Sequence, residues 1–169
     1  VLDVPGGLLC AGFHEAHGHL LRTARVADEL SLAGLALDAV LAGVRAASAS
    51  NASDRWVVGN GLAAHVFDSA QSPRALLDVA ADDVPMLLRT HDLHHAVLNT
   101  AALERTGFVA RAPSDSDIEC HGDAPTGRVA ETAAWDADAT ASADGAGDAV
   151  ASVGRLLPAL HAAGIVAFH

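Results

Sequence analysis

The sequence predicts an α/β fold, and three observations carry that reading. A helical stretch bearing Val150, Val153, Leu156, Leu157 and Leu160 is closed by Gly164 and followed by the apolar run 165–168. A second helical stretch opens at Pro73, where the missing N–H costs nothing, and leads to the apolar run 84–90. A third, 96–106, is stopped by Gly107, a C-capping residue. Helix, glycine and buried strand in succession are how helices come to lie on the faces of a sheet. The 169 residues suffice for one ordinary domain. A complete (β/α)8 barrel takes about 250, so a whole barrel is excluded.

Taken in order, residues 1–13 hold two short apolar runs around Pro5-Gly6-Gly7, the signature of extended segments joined by a tight turn. Leu37, Val40, Leu41 and Val44 recur at helical spacing from Leu35 onward until the SASN stretch at 48–51 ends the pattern. Arg55-Trp56-Val57-Val58 before Gly59-Asn60-Gly61 suits a short strand and a turn. The helix from Pro73 presents Leu76, Leu77 and Ala80 on one face. In the run 84–90, Pro85 stands near the first position of a strand, where it is tolerated. Residues 111–128 mix Pro, Ser, Asp and Gly and are expected as loop. The acidic, low-complexity stretch 134–149 is expected as a solvated linker or mobile lid. Pro158 is expected to kink the last helix.

Charge narrows the function classes. Ten Arg against 21 Asp and Glu give a formal charge of -11, which repels nucleic acid and anionic lipid. The apolar stretches are interrupted well before the ~20 residues of a membrane span. Cys10 and Cys120 form neither a CxxC pair nor a disulfide framework, the usage of a reducing, cytoplasmic compartment. There is no Lys, so no lysine amine is open to chemistry in these residues. The sequence opens at Val1 as if in mid-strand and closes on GIVAFH, and it reads as an internal piece of a longer protein.

Three clusters carry possible chemistry. His17-Gly18-His19 lies at the end of an apolar strand; residues i and i+2 of a strand share a face, so both imidazoles reach one cation, and Gly18 leaves space for close approach. Glu15 shares that parity and His14 does not. The plainer alternative is polar residues marking a strand end. His91-Asp92-Leu93-His94-His95 lies between a strand and a helix, where Asp92 either orients an imidazole or caps the helix. Asn99, five positions after His94, either approaches the same site or bonds neighbouring backbone. Glu131 in PTGRVAET, just after Gly127, is either a functional carboxylate or an exposed helix-start residue.

These residues, in this order, resemble the amidohydrolase superfamily, and within it the amidohydrolase family 3 branch of N-substituted formamide deformylase-like metal-dependent hydrolases. LDVPGGLLCAGFHEAHGHL is similar to that family's strand into Pro-Gly-Phe-Ile-Asp-x-His-x-His-Leu, with Ala11 for Pro, His14 for Ile, Glu15 for Asp, and both His17 and His19 intact. WVVGNGL (56–62) resembles Trp-x-x-Gly-x-Gly-Trp, with Leu62 for the second aromatic. Residues 72–103 resemble the run through Asp-Gly-His and Asn-Ser-x-Ala-Leu, with Asp92, His94 and Asn99 at the Asp, His and Asn positions and Leu93 displacing the Gly. PTGRVAET resembles Pro-Thr-Gly-x-Leu-x-Glu, and HAAGIVAFH the helix end and strand Gly-Ile-Thr-Ser-Val-His-Asp.

The resemblance implies a partial TIM-like barrel: residues 1–12 as the end of a small β-sandwich domain, and 13–169 as the N-terminal part of the barrel with a long insertion after strand 1. It implies one or two divalent metals, zinc as the expected ion, and a small-molecule substrate hydrolysed at an amide-type, non-peptide C–N bond by activated water. His17 and His19 are then metal ligands, Glu131 a bridging carboxylate in place of the absent lysine, and Asp92, His94 and Asn99 substrate-side groups. The alternative from another class is a non-catalytic remnant, or a module that binds metal or a partner without turnover.

Overall fold

A computed structural model describes residues 4–50, 55–81, 83–144 and 149–169. They divide into two units, one of residues 4–28 with 149–169 and one of 29–144. In the first, β1 (Phe13–Glu15) lies parallel to β8 (Ile165–Phe168), with α1 (Leu20–Asp28) and α7 (Ala149–Ala162) as its helices. Parallel strands require a crossover through helix, and here the crossover holds the whole second unit as an insertion between α1 and α7. Asp28, the last residue of α1, ties the two helices. It accepts from Ser152 Oγ at 2.5 Å and from Arg155 Nε and Nη2 at 3.1 and 2.5 Å. The Arg155 guanidinium and the Ser152 hydroxyl hold its carboxyl down to about 2. α7 runs unbroken across Pro158, so the expected kink does not end the helix. Residues 4–7 form the expected turn, with Gly7 N donating to Val4 O at 3.0 Å and Gly6 at φ +71°.

The second unit is a six-stranded mixed sheet. Its elements in order are β2 (Leu30–Ser31), α2 (Leu37–Ala49), β3 (Val57–Leu62), α3 (Pro73–Ala80), β4 (Met86–Thr90), β5 (His95–Leu98), α4 (Thr100–Arg105), α5 (Phe108–Arg111), β6 (Ile118–His121), β7 (Ala124–Ala130) and α6 (Glu131–Ala143). The strand order is β2-β3-β4-β5-β7-β6, parallel from β2 to β4 and antiparallel from β4 onward. Strand alternation sorts the core onto two faces. Met86 and Leu88 join Val40, Val44, Phe67 and Leu77 on the face covered by α2 and α3. Leu87 joins Leu98, Leu103, Phe108 and the alanines of α6 on the other.

Several expectations are corrected. The stretch 111–128 is not loop: it ends α5 and builds the β6–β7 hairpin, turned at Gly122 with φ +62°. Pro125 sits in β7 ahead of the residues that pair with β5, so its missing N–H costs no β5 bond. The stretch 134–149 is largely helix. Ala133, Ala134, Ala137 and Ala141 of α6 are buried, because a helix with methyl side chains on one face approaches a sheet closely and alanine is the best helix former. Residues 145–148 of that expectation lie outside the described residues. The helix expected over 96–106 shrinks to α4, since 95–98 pair as β5. Gly59-Asn60-Gly61 is not a turn but part of β3; Gly59 is needed because a Cβ there would stand 2.7 Å from Leu32 Cδ1. The described strands form one two-stranded and one six-stranded sheet, and no closed barrel. No described helix is long and apolar enough to cross a membrane.

Gly127 in β7 has φ +98°, and a Cβ there would fall 2.5 Å from Leu98 O and 2.8 Å from Arg74 Cβ. Both obstacles belong to or adjoin backbone, so they do not swing away. Gly127→Ala is expected to cost about 2–3 kcal/mol through left-handed strain and overpacking. The urea midpoint of the variant measures it, and a shift worth less than about 0.5 kcal/mol would refute the packing account.

Candidate functional site

β4 ends at Thr90, and the chain turns through 91–94 before entering β5. Leu93, at the position where the resembling family has glycine, carries φ +66°, a conformation that favours glycine. Asp92 closes the turn. Its Oδ1 accepts from Thr90 Oγ1 at 2.5 Å and from His94 N at 3.0 Å. The Thr90 hydroxyl first, and then the His94 N–H, hold the Asp92 carboxyl below the usual range. Asp92 is thus an ionised anchor for this turn. Its Oδ2 stands 3.8 Å from His95 Nδ1.

Sheet register brings the second half of the site to the first. His95 pairs with Ala130 across β5 and β7, so the residues just beyond the pair, His94 and Glu131, meet although they are 37 positions apart. Glu131 N donates to His94 O at 2.7 Å, and Glu131 Oε2 lies 3.0 Å from His94 Nδ1. Both side chains are about half-exposed. Glu131 is the first residue of α6 and has φ +42°, so the two strained non-glycine residues of the described chain, Leu93 and Glu131, flank one ion pair. Such strain persists only where surrounding structure enforces it, and it gathers at functional sites. Trp135, one helical turn after Glu131, adds an indole 53 % exposed, its ring 6.0 Å from that of His94 and its Nε1 donating to Leu93 O at 3.3 Å. Trp135 lay hidden in a stretch that composition marks as linker; its spacing of four from Glu131 was the available signal.

The hydrogen bond to Glu131, followed by its charge, raises the His94 pKa. A raised folded-state pKa means that the pair's contribution to stability is full below the ordinary histidine range and is lost as pH rises through the His94 pKa. NMR titration of the His94 ring is expected to show this elevation, and Glu131→Gln to abolish it. Identical titration curves for both proteins would disprove the pairing.

Asn99 has a different job from the substrate contact expected of it. It is fully buried, its Oδ1 accepts from Met86 N at 2.9 Å and Ala102 N at 3.1 Å, and its Nδ2 donates to Val84 O at 2.8 Å and Ala81 O at 3.3 Å. It caps α4 and pins β4, with no polar atom left over for a ligand.

In the first unit, β1 ends at Glu15, so His17 and His19 follow the strand instead of lying in it, and strand parity does not place them. The two rings nevertheless stand edge to face with centroids 5.4 Å apart. Two imidazoles sharing a tetrahedral zinc at about 2.0–2.1 Å put their centroids roughly 5 Å apart, close to the separation of this pair. Glu15 Oε1 accepts from His17 N at 3.0 Å and holds this segment. Gly18 lies against Phe168, where a Cβ would come within 2.6 Å of Cε1. Among the described residues no group of three or more His, Cys, Asp and Glu is arranged around a metal position.

Solved structures share this α/β arrangement. Crystal structures of uncharacterised metal-dependent hydrolases from Pyrococcus horikoshii OT3 and Pyrococcus furiosus share the fold, each with a TM-score of 0.67 over 94 % of this chain, at 18 % and 16 % identity. The sequence model of the amidohydrolase family matches residues 1–168, and the chain belongs to that family. An N-substituted formamide deformylase of Arthrobacter pascens is 34 % identical over 141 residues, 79 % of this chain. The chain spans about a quarter of that relative's length (26 %) and under a third of the two solved chains (30 % and 31 %).

Proposed function

We propose that this chain contributes to a metal-dependent hydrolase that cleaves an amide-type, non-peptide C–N bond of a small molecule. The observation that carries the reading is the His17–His19 pair, with ring spacing suited to one shared cation, in a chain of the amidohydrolase family. His17 and His19 would hold the ion through one ring nitrogen each. When bound, a divalent ion, zinc as the expected one, would supply an acidified water, its pKa brought from 15.7 toward ~7, and Lewis acidity. In the overall reaction water adds its oxygen to the carbonyl carbon, the C–N bond breaks, and the nitrogen leaves protonated, giving a carboxylate and an ammonium ion.

The chain's own proton-handling groups are His94 and Glu131. Glu131 Oε2 fixes the imidazole at Nδ1, which leaves Nε2 as the atom that takes or delivers a proton. Asp92 fixes the same histidine from the backbone side. The ligand role that the resemblance implies for Glu131 is kept as part of this proposal, and its Oε1 would serve it. Glu131→Gln separates the two roles: loss of bound metal reports ligation, whereas loss of the elevated His94 pKa with metal retained reports the pair alone. The reading places the protein in the cytoplasm, supported by two cysteines that are both free thiols.

The test is the product of the complete gene, loaded with zinc and assayed against a panel of N-substituted amides and formamides, with a chelator control. Chelator-sensitive turnover is expected. Bound zinc without turnover of any amide would replace the enzyme with a metal-binding module.

A further inference from the structure

A cleft of about 360 Å³ opens in the second unit, between β5 and β7 and the short 3-10 turn at Ala64–Phe67, and no role has yet been given to it. Its volume falls within the roughly 300–1,000 Å³ of small-molecule sites. Leu62, Phe67 and Val97 supply an apolar floor, and Asp68, Glu119, Arg128 and His95 a polar rim.

The rim has a definite charge preference. Arg128 is already committed: Nη1 donates to Glu119 Oε1 at 2.8 Å, and Nη2 to Phe67 O at 2.6 Å and Ala70 O at 3.0 Å. An incoming anion would have to displace Glu119 from that guanidinium. The carboxylates are not equally spent. Glu119 Oε1 receives both Arg128 and the Thr126 hydroxyl, the latter at 2.8 Å, which leaves Oε2 open, and the Asp68 carboxylate makes no ion pair among the described residues. Burial pushes the Glu119 carboxyl up, but the Thr126 and Arg128 contacts outweigh it and keep the group ionised. One neutralised cation and two carboxylates over an apolar floor suit a ligand that is cationic at one end and apolar at the other.

We propose that this cleft binds an organic ammonium ion with a compact apolar body, its body on Leu62, Phe67 and Val97 and its nitrogen between Asp68 and Glu119. The inference rests on the hydrolase reading for its place in the reaction, because breaking an amide C–N bond releases an amine that is protonated in water. His95 and Thr90 line the cleft and also belong to the turn that holds Asp92 and His94, so the cleft adjoins the proton-handling pair within one unit.

The experiment titrates cyclohexylamine into the full chain in chelator and follows amide NMR signals, with cyclohexanol and cyclohexanecarboxylate as the neutral and anionic isosteres. Saturable shifts at Phe67, Asp68, Val97 and Glu119 are expected, with the amine binding at least about fivefold tighter than either isostere. Asp68→Asn and Glu119→Gln should each weaken the amine about threefold, as for exposed ion pairs, and leave cyclohexanol unchanged. Asp68→Asn removes no contact of the fold, so it keeps the test valid if Glu119→Gln disturbs Arg128. Equal binding of amine and alcohol, preference for the carboxylate, or indifference to both substitutions overturns the proposal. Since no metal or turnover is involved, that outcome leaves the hydrolase reading standing, and an absence of amide turnover leaves the cleft standing.

Discussion

Arg89→Ala is expected to lower the stability of the sheet unit by about 3–5 kcal/mol, the range for removing one partner from a buried ionic cluster. Arg89 lies in β4 near the middle of the six-stranded sheet and is only 3 % exposed. Its Nη1 donates to Asp138 of α6 and its Nη2 to Glu29, just before β2, so one guanidinium joins a central strand, a covering helix and the sheet edge. Glu29 and Asp138 are themselves 10 % and 23 % exposed, so removing the cation takes the guanidinium from two poorly hydrated carboxylates. Asn60 Nδ2, which also donates to Glu29 at 3.4 Å, is neutral and cannot replace the charge. Urea unfolding at constant m-value is the measurement. A loss below about 1 kcal/mol would show that the cluster is hydrated and weak. Arg89 Nε is buried without a hydrogen-bond partner, so the cluster is imperfectly satisfied. Replacing all three residues together, as Glu29→Leu, Arg89→Met and Asp138→Leu, should therefore recover most of the loss, which the single substitution cannot. The residue after Arg89 is Thr90, whose hydroxyl anchors Asp92, so this cluster also sets where the His94 turn begins.

What could be read from sequence follows from which physical signals are local. α3, β4, α7 and β8 are legible because each couples a clear apolar period to a glycine or proline at its end, and α2 because its apolar period stops at the SASN stretch. The β6–β7 hairpin was not: Pro125, Thr126 and Gly127 look like loop, and only contact with β5 and Arg74 makes the positive φ at Gly127 a packing requirement. α6 was obscured for the opposite reason, since alanine and aspartate give a weak apolar stripe that becomes a buried face only when a sheet is there to meet it. The candidate site divides the same way. His17, His19, Asp92, His94 and Glu131 stood out by residue type. The meeting of His94 with Glu131 is a consequence of the His95–Ala130 register, a non-local fact. For Asn99 the sequence leaves a site contact and a backbone bond both open, because a buried cap and an active-site amide are the same residue in one dimension; the structure realises the backbone bonds.

His17→Ala and His19→Ala are each expected to weaken zinc binding by more than about 100-fold, beyond the 10–100-fold typical of losing a supporting partner outside the coordination sphere, while His14→Ala leaves affinity unchanged. Strand parity does not set this difference: β1 stops at Glu15, and the chain bends at residues 16 and 17 before the two rings meet. His14 lies inside β1, on the other side of that bend, and shares no contact with either ring among those described. The bend is held from two directions, by Glu15 Oε1 on His17 N and by the packing of Gly18 against Phe168. Gly18→Ala is thus a second probe: it keeps both imidazoles but forces the loop away from Phe168, and it should weaken zinc by an intermediate factor if ring spacing matters. Competition with a chromophoric chelator on the product of the complete gene gives all four affinities in one assay. Equal losses in the His14, His17 and His19 variants would mean that the histidines act only through general charge and that no shared cation site exists. Full affinity in Gly18→Ala alongside loss in both histidine variants would keep the ligands and discard the spacing argument.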